Sequence, residues 1–377
     1  MADKEVGGSF RYPKSVTDYE GIRQYAGDVI ATNRYFRHEI ERAALRNVLF
    51  FLGIQWIKYD PTLRIWRPAG LKRSTPRPVT NKLASLVNTT VSSLVSYRVP
   101  ITYGPASFED ADVAAANVAD RINDIIEKEV KVRGIKPLVA RWIALTGNCF
   151  LINGYDNDSD TGTVFVQSEM DAAGHVKTPL EIEQNGGVCD ECGGPVQWAP
   201  AVDPQTQEPQ GEEYPRGKFS TEVKPLFSCY FDSECPVAES PYFLVSELKG
   251  LDTVEKMYGA EVAAEAATAP HSEPYTNYVE TLAYSTALGG RIWGQVSDSR
   301  KRRARVRRLW IRPHRDLAPN GIYAVMVGDK VVEAREWPYH DERGDVFLNV
   351  VHMGFDPVPG RTLYKTRVDD VAVKQEQ

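Results

Sequence analysis

Several absences narrow what this chain can be. It has no Walker phosphate loop, no Gly-x-Ser-x-Gly nucleophile turn and no His-Glu-x-x-His helix. The longest strongly apolar run, residues 47–57, is too short to span a bilayer. The start, Met1-Ala2-Asp3-Lys4-Glu5, lacks the apolar core of a signal peptide. Positive charge is not in excess: 45 Lys and Arg face 51 Asp and Glu, for a net charge of -6. That balance argues against a protein that coats nucleic acid, while leaving room for a local basic surface. Cysteine is scarce and odd in number, at five. In a chain without a secretion signal this points to reduced thiols or a metal site rather than a disulfide framework. A cytosolic compartment and no membrane partner are the expectations.

What is present suffices for a sizeable core. Of 377 residues, 42% are hydrophobic and 25% charged, and the mean hydropathy is -0.38. The pattern predicts an α+β chain, with an N-terminal helical region followed by a β-rich one. Residues 1–14 read as a flexible tail and 15–146 as helical. Within the latter, Thr17-Asp18-Tyr19-Glu20 has the form of a capping box that starts a helix near Asp18. A second helix is expected over 35–51, with Phe36, Ile40, Ala43, Ala44 and Leu45 inward, its arginines and glutamates solvated, and Gly53 as its stop. Leu83, Leu86, Val87, Val91, Leu94 and Val95 share one helical face, so 82–97 should be amphipathic, capped by Thr80 or Asn81 and ended by Pro100. Further helices are expected over 109–132 and 137–145.

Residues 147–259 read as β-rich. Phe150-Leu151-Ile152 should be a strand, with 163–166 as its hairpin partner. The intervening Asp156-Asn157-Asp158-Ser159-Asp160-Thr161-Gly162 is either a polar turn or a calcium loop. Its glycine comes one place late for calcium, and Gln167 stands where a bidentate glutamate belongs. Residues 168–222, rich in Gly, Pro, Gln and Glu without an apolar period, read as an insertion or extended loop. A helix and connection are expected over 260–300, a β-rich region over 301–360 with a hairpin turning at Gly328-Asp329, and the start of a helix over 361–377.

Two clusters carry candidate chemistry. Cys189-Asp190-Glu191-Cys192-Gly193 has zinc-knuckle form, because the turn aims two thiolates at one ion. A structural site needs four ligands. The nearest remaining thiols are Cys229 and Cys235, so the candidate set is Cys189, Cys192, Cys229 and Cys235; the alternative is a metal-free Gly-rich turn. Arg300, Lys301, Arg302, Arg303, Arg305, Arg307 and Arg308 carry seven positive charges with no acid between Asp298 and Asp316. They read either as a solvated loop entering a strand or as a phosphate-contacting surface, with Lys301, Arg302, Arg303 and Arg305 as the candidate contacts. His314-Arg315-Asp316-Leu317-Ala318-Pro319-Asn320 has the look of a kinase catalytic loop, but Asn320 follows Asp316 by four places instead of five, and the other kinase parts are missing. No catalysis is expected.

The order of the parts is more informative than any one of them. Gln55-Trp56-Ile57-Lys58-Tyr59-Asp60, then Thr75-Pro76-Arg77-Pro78-Val79-Thr80-Asn81, a helix, and Arg98-Val99-Pro100-Ile101-Thr102 succeed one another. Ala144-Leu145-Thr146-Gly147-Asn148-Cys149-Phe150, Val306-Arg307-Arg308-Leu309-Trp310-Ile311-Arg312-Pro313 and Pro319-Asn320-Gly321 follow downstream. This succession resembles the portal proteins of short-tailed bacteriophages over most of residues 20–370. The resemblance implies a wing-type, non-enzymatic subunit of a virion head-to-tail connector at one capsid vertex, assembled in the host cytoplasm. It also implies a ring of about twelve identical subunits, closed by a repeated heterologous contact. Its implied partners are double-stranded DNA passing through the channel, the packaging terminase, the capsid and tail or adaptor proteins. An acidic balance suits such a channel, since a strongly basic wall would hold the duplex. Chains of that family continue past the Gly360 region, so the C-terminal part is expected to be lacking here. The alternative from a different class is a zinc-containing nucleic-acid-binding or adaptor protein.

Overall fold

A single uninterrupted helix opens the structure, a computed structural model that describes residues 12–62, 65–69, 80–97, 101–156, 162–171, 173–184, 187–189, 191–192, 199–202, 209–267, 303–314, 318–339 and 346–376. Most of the expected tail, the turn at 157–161, most of the connection over 260–300, and residues 75–79 and 98–100 lie outside the described residues. The chain is α+β and divides into two compact units. The first draws on 1–102, 131–152 and 222–377, the second on 103–130 and 153–221.

Helix α1 (Tyr19–Phe51) has 33 residues, so the two helices expected here are one, about 50 Å long. Its cap is Asp18, whose Oδ1 accepts from the Gly21 N–H at 3.0 Å. Glu20 does not close a capping box; it pairs with Arg23 at 2.7 Å. Two expectations for the inward face are corrected. Phe36 is 60% exposed, while Arg37 and Glu41 are buried and paired at 3.0 Å. The Arg37 guanidinium also donates to the carbonyls of Leu226 and Cys229, where a short turn enters the main sheet. Those acceptors, together with Glu41, make burial of the cation tolerable.

Strands β1 (Ile57–Asp60) and β2 (Ile65–Pro68) form a hairpin that sets Tyr59 opposite Trp66. Helix α2 (Lys82–Ser96) follows as expected, with Leu83, Val87 and Val91 buried. Of the two candidate caps, Asn81 does the capping: its Oδ1 accepts from Ala84 N–H, and its Nδ2 donates to the Phe51 carbonyl that ends α1. Helix α3 (Asp110–Val130), in the second unit, buries no residue. Helix α4 (Val132–Thr146) begins before Pro137 and stops at Gly147, whose φ is 78°. A Cβ at Gly147 would lie 2.7 Å from the Tyr364 carbonyl oxygen, so this close turn needs glycine.

Strand β3 (Asn148–Asp156) does not pair with β4 (Thr163–Gln167), contrary to expectation. The side chains of β4 are mostly exposed, and nothing apolar draws it to β3, whose Phe150 and Ile152 are buried. The segment expected as an extended loop contains ordered pieces: β5 (Glu169–Met170), β6 (Val176–Lys177), α5 (Pro179–Gln184), β7 (Ala199–Pro200) and β8 (Gly211–Pro215). Strand β4 pairs with β8, and β5 sits between β6 and β7. Strand β9 (Lys218–Pro225) then leads back into the first unit.

The rest of the first unit is dominated by an antiparallel sheet in sequence order: β10 (Cys229–Phe231), β11 (Tyr242–Gly250), β12 (Arg303–Ile311), β13 (Ile322–Val327) and β14 (Lys330–Arg335). Register sorts its faces. Leu244, Leu309 and Ala324 line up on one face and pack with Ile22, Tyr25 and Val29 of α1. Phe243 and Trp310 line up on the other and pack with Phe150, Leu226 and Val350. Val350 belongs to β15 (Val350–Gly354), which pairs with β3. The hairpin at Gly328-Asp329 forms as expected, with Gly328 at φ 62°. A final helix, Val368–Glu376, is shorter than expected and packs Val368 and Ala372 against the α1–α2 cluster. Among the described residues no helix is long and apolar enough to cross a membrane.

Candidate metal centre

The Cys-x-x-Cys turn lies in the second unit, and local chain geometry brings its partners. Strand β5 delivers Asp171 into a tight turn in which Asp171 Oδ1 accepts the N–H groups of Ala173 at 2.8 Å and His175 at 2.9 Å. Those two bonds occupy one carboxylate oxygen and leave Oδ2 pointing at the His175 ring. His175 leads into β6, and Thr178 follows it. There a capping box starts α5: Thr178 N–H donates to Glu181 Oε2 at 2.9 Å, and Glu181 N–H donates to Thr178 Oγ1 at 3.4 Å. Pro179 takes the first helical position, where its missing N–H costs nothing. Gly187, at φ 79°, closes the helix by donating to the Ile182 carbonyl, and the chain returns to Cys189.

The result is a four-donor cluster of Asp171, His175, Cys189 and Cys192, whose ligand atoms all lie within 4.8 Å of one another. His175 Nδ1 is 3.0 Å from Asp171 Oδ2, 3.0 Å from Cys192 Sγ and 3.8 Å from Cys189 Sγ. Cys192 Sγ is 3.2 Å from Asp171 Oδ2. In a tetrahedral site with ordinary bond lengths, neighbouring ligand atoms stand about 3.3–3.8 Å apart, close to what is found here. Two thiols, an imidazole and a carboxylate held to one free oxygen could hold a metal ion. Asp171 and Cys189 are buried, His175 is half-buried and Cys192 is exposed.

The electrostatics hold one carboxylate of the site charged and one thiol protonated. Burial works against the charged Asp171 carboxyl, yet the His175 backbone N–H and the Cys192 thiol hold it well below the usual carboxylate range. The hydrogen bond to Asp171, with burial, pushes the Cys192 thiol up to about 12. A metal ion must displace that thiol proton, which makes binding pH-dependent.

Cys229 and Cys235, the expected third and fourth ligands, are not in this cluster. Cys229 is fully buried among Phe150, Phe231 and Phe243, and burial pushes its thiol well above the ordinary range. Cys235 sits after the turn that follows β10, its thiol facing the Asp232 carbonyl. Asp171 and His175 fill the two places instead. The missed signal is Asp-x-x-x-His around Gly174, within twenty residues of the first knuckle cysteine; a search confined to thiols passes over it.

The arginine run also differs from expectation. From Arg303 onward it is strand β12, with β11 and β13 on its two sides. Arg305 is 2% exposed, which corrects its reading as a phosphate contact. Arg307 donates to the Gly328 carbonyl. Arg308 donates both terminal nitrogens to Glu222, and Lys224 joins Glu222 to Glu247. Burial alone would push the Glu222 carboxyl up, but Arg308 and Lys224 together bring it down to about 2. Arg303 is half-buried; Lys301 and Arg302 lie outside the described residues. The β10 end also borders a cleft lined by Asn33, Phe36, Asp232, Ser233, Glu234 and Tyr242. No protein-family model matches this chain, and no curated protein matches it either.

Proposed function

We propose that the chain is a non-enzymatic structural subunit of a portal-type ring, with one zinc ion clamping its second unit. The ring reading rests on the succession from Gln55 to Thr102 and its downstream continuation, carried on an α+β chain. One structural observation favours assembly: α3 buries nothing, and its Val118, Ile122 and Ile125 remain 53%, 47% and 46% exposed. An apolar helix face left open on the single chain suits a subunit covered by an identical neighbour, and such a heterologous contact closes into a ring of about twelve when its rotation divides the circle. DNA passing through the ring, the packaging terminase, the capsid and the tail are the partners this function requires. Negative-stain imaging with sedimentation tests it. Rings are expected at high protein concentration; a species that remains monomer or dimer at every concentration overturns the ring.

Zinc is favoured for the cluster because it takes thiolate, imidazole and carboxylate donors in a tetrahedron. Four protein ligands leave no open position for substrate, so the role is structural. Elemental analysis of protein purified without chelators should give about one zinc per chain, and Cys189→Ser should abolish it. A second reading, a zinc-containing nucleic-acid-binding or adaptor protein, draws on the same cluster. Its arginine surface has less support, because Arg305 is buried and Arg308 is engaged by Glu222.

A further inference from the structure

The metal cluster is bordered by a carboxylate that is not one of its ligands. Glu191 lies inside the Cys-x-x-Cys turn, and its Oε2 is 3.2 Å from His175 Nε2, the ring nitrogen that faces away from the cluster. Its other oxygen is 3.1 Å from Lys177 Nζ. His175, Lys177 and Glu191 thus form a short chain of polar contacts behind the site. We propose that Glu191 is the positioning residue of the metal centre, fixing His175 so that Nδ1 is the nitrogen that binds the ion. This rests on the zinc reading above.

The argument is one of donors and acceptors. Both ring nitrogens face a carboxylate, Nε2 at 3.2 Å from Glu191 Oε2 and Nδ1 at 3.0 Å from Asp171 Oδ2. With an ion in the cluster Nδ1 would give its lone pair to that ion, and the proton would stay on Nε2 toward Glu191, which accepts only. A neutral imidazole with its proton on Nε2 presents a bare lone pair at Nδ1, and Nδ1 is the atom 3.0 Å from both Asp171 Oδ2 and Cys192 Sγ. Orienting an imidazole ligand through its second nitrogen also raises its basicity toward the ion. Lys177 has a part in this, since it restrains the Glu191 carboxylate from the far side. The Glu191 side chain is 51% exposed, so the contact adds little to folding stability as an ion pair. Its effect should appear in the metal instead. The knuckle therefore supplies two thiolates and, between them in sequence, the group that orients the imidazole ligand.

The test uses the full chain, stripped of metal and titrated with zinc against a competing chelator. Glu191→Ala should weaken zinc binding about 10- to 100-fold while one ion still binds at saturation. Glu191→Gln keeps a neutral acceptor for the Nε2 proton and should recover most of that loss; Lys177→Met should weaken binding less than Glu191→Ala. The direct readout is NMR of cadmium-113-loaded, nitrogen-15-labelled protein. Wild type should show coupling from cadmium to Nδ1 of His175, and Glu191→Ala should lose that coupling or divide it between the two nitrogens. Equal zinc affinity of Glu191→Ala and wild type overturns the positioning role and leaves the zinc reading standing. Coupling to Nε2 in wild type does the same, and it carries the test even where the Ala variant fails to fold. Wild type that binds neither ion overturns both.

Discussion

The two units of this chain are held together by different means. Among the described residues the buried apolar clusters all fall in the first unit, where one sheet face packs on α1 and the other on Phe150 and Val350. In the second unit the buried side chains among the described residues are Ser168, Asp171, Thr178, Cys189 and Ala201. At about 25 cal/mol for each Å² of apolar surface removed from water, five such side chains cannot offset the entropy of ordering the strands around them. Among the described residues short ladders and the four-donor cluster are what remain, and a metal ion is the usual solution for a segment without a core. The contrast shows that polar burial has two uses in one chain. In the first unit Arg37 and Glu41 pair with each other inside an apolar frame; among the described residues of the second the buried polar groups are themselves the frame.

Perturbing each unit separately should sharpen this difference. The largest effect is expected from Cys189→Ser. Zinc-finger peptides draw an apparent ~10–16 kcal/mol from the metal at neutral pH, so its loss should unfold the segment around residues 168–202. Limited proteolysis should then cut there and leave the first unit intact. Next comes Arg37→Leu, which leaves Glu41 buried without its cation, where burial already pushes its carboxyl up. It should cost the first unit about 3–5 kcal/mol by urea unfolding, with zinc content unchanged. Gly147→Ala should cost less, about 1–3 kcal/mol, from its left-handed backbone and the close Tyr364 carbonyl. The smallest effect is acid sensitivity through Glu222. Its carboxyl is lowered from 4.5 to about 2, so its contribution is complete above pH 4.5 and lost as pH falls through about 2. Its side chain is 39% exposed, and solvent screening keeps the contribution small. Acid titration of Arg308→Leu should show a shallower loss over that window.

Legibility followed the same division. Where apolar period decides structure, as in α2 and the β13–β14 hairpin, sequence spacing predicts the element nearly to the residue. It fails where a polar residue is buried, since Arg37 and Glu41 read as a solvated face until the carbonyls of Leu226 and Cys229 come into view. It fails again where strand partners are distant: β4 looks like the mate of β3, but its exposed side chains pair with β8 instead. At the metal cluster, Cys189 and Cys192 were legible from their spacing. Asp171 and His175 were not, because a carboxylate and an imidazole become ligands only when a turn and a capped helix fold them back toward the thiols. The arginine run shows a related limit. Its charge suggested a surface, yet Arg308 is matched by Glu222, eighty-six positions earlier in the chain.

The central claim is that the second unit depends on a metal and the first does not. Hydrogen exchange of the full chain, zinc-loaded and after chelation, tests it most directly. Metal removal should collapse amide protection across residues 168–189, including the β5–β6 pairing and α5, while β11, β12 and β13 keep theirs. Protection in 168–189 that is the same with and without zinc would contradict the account.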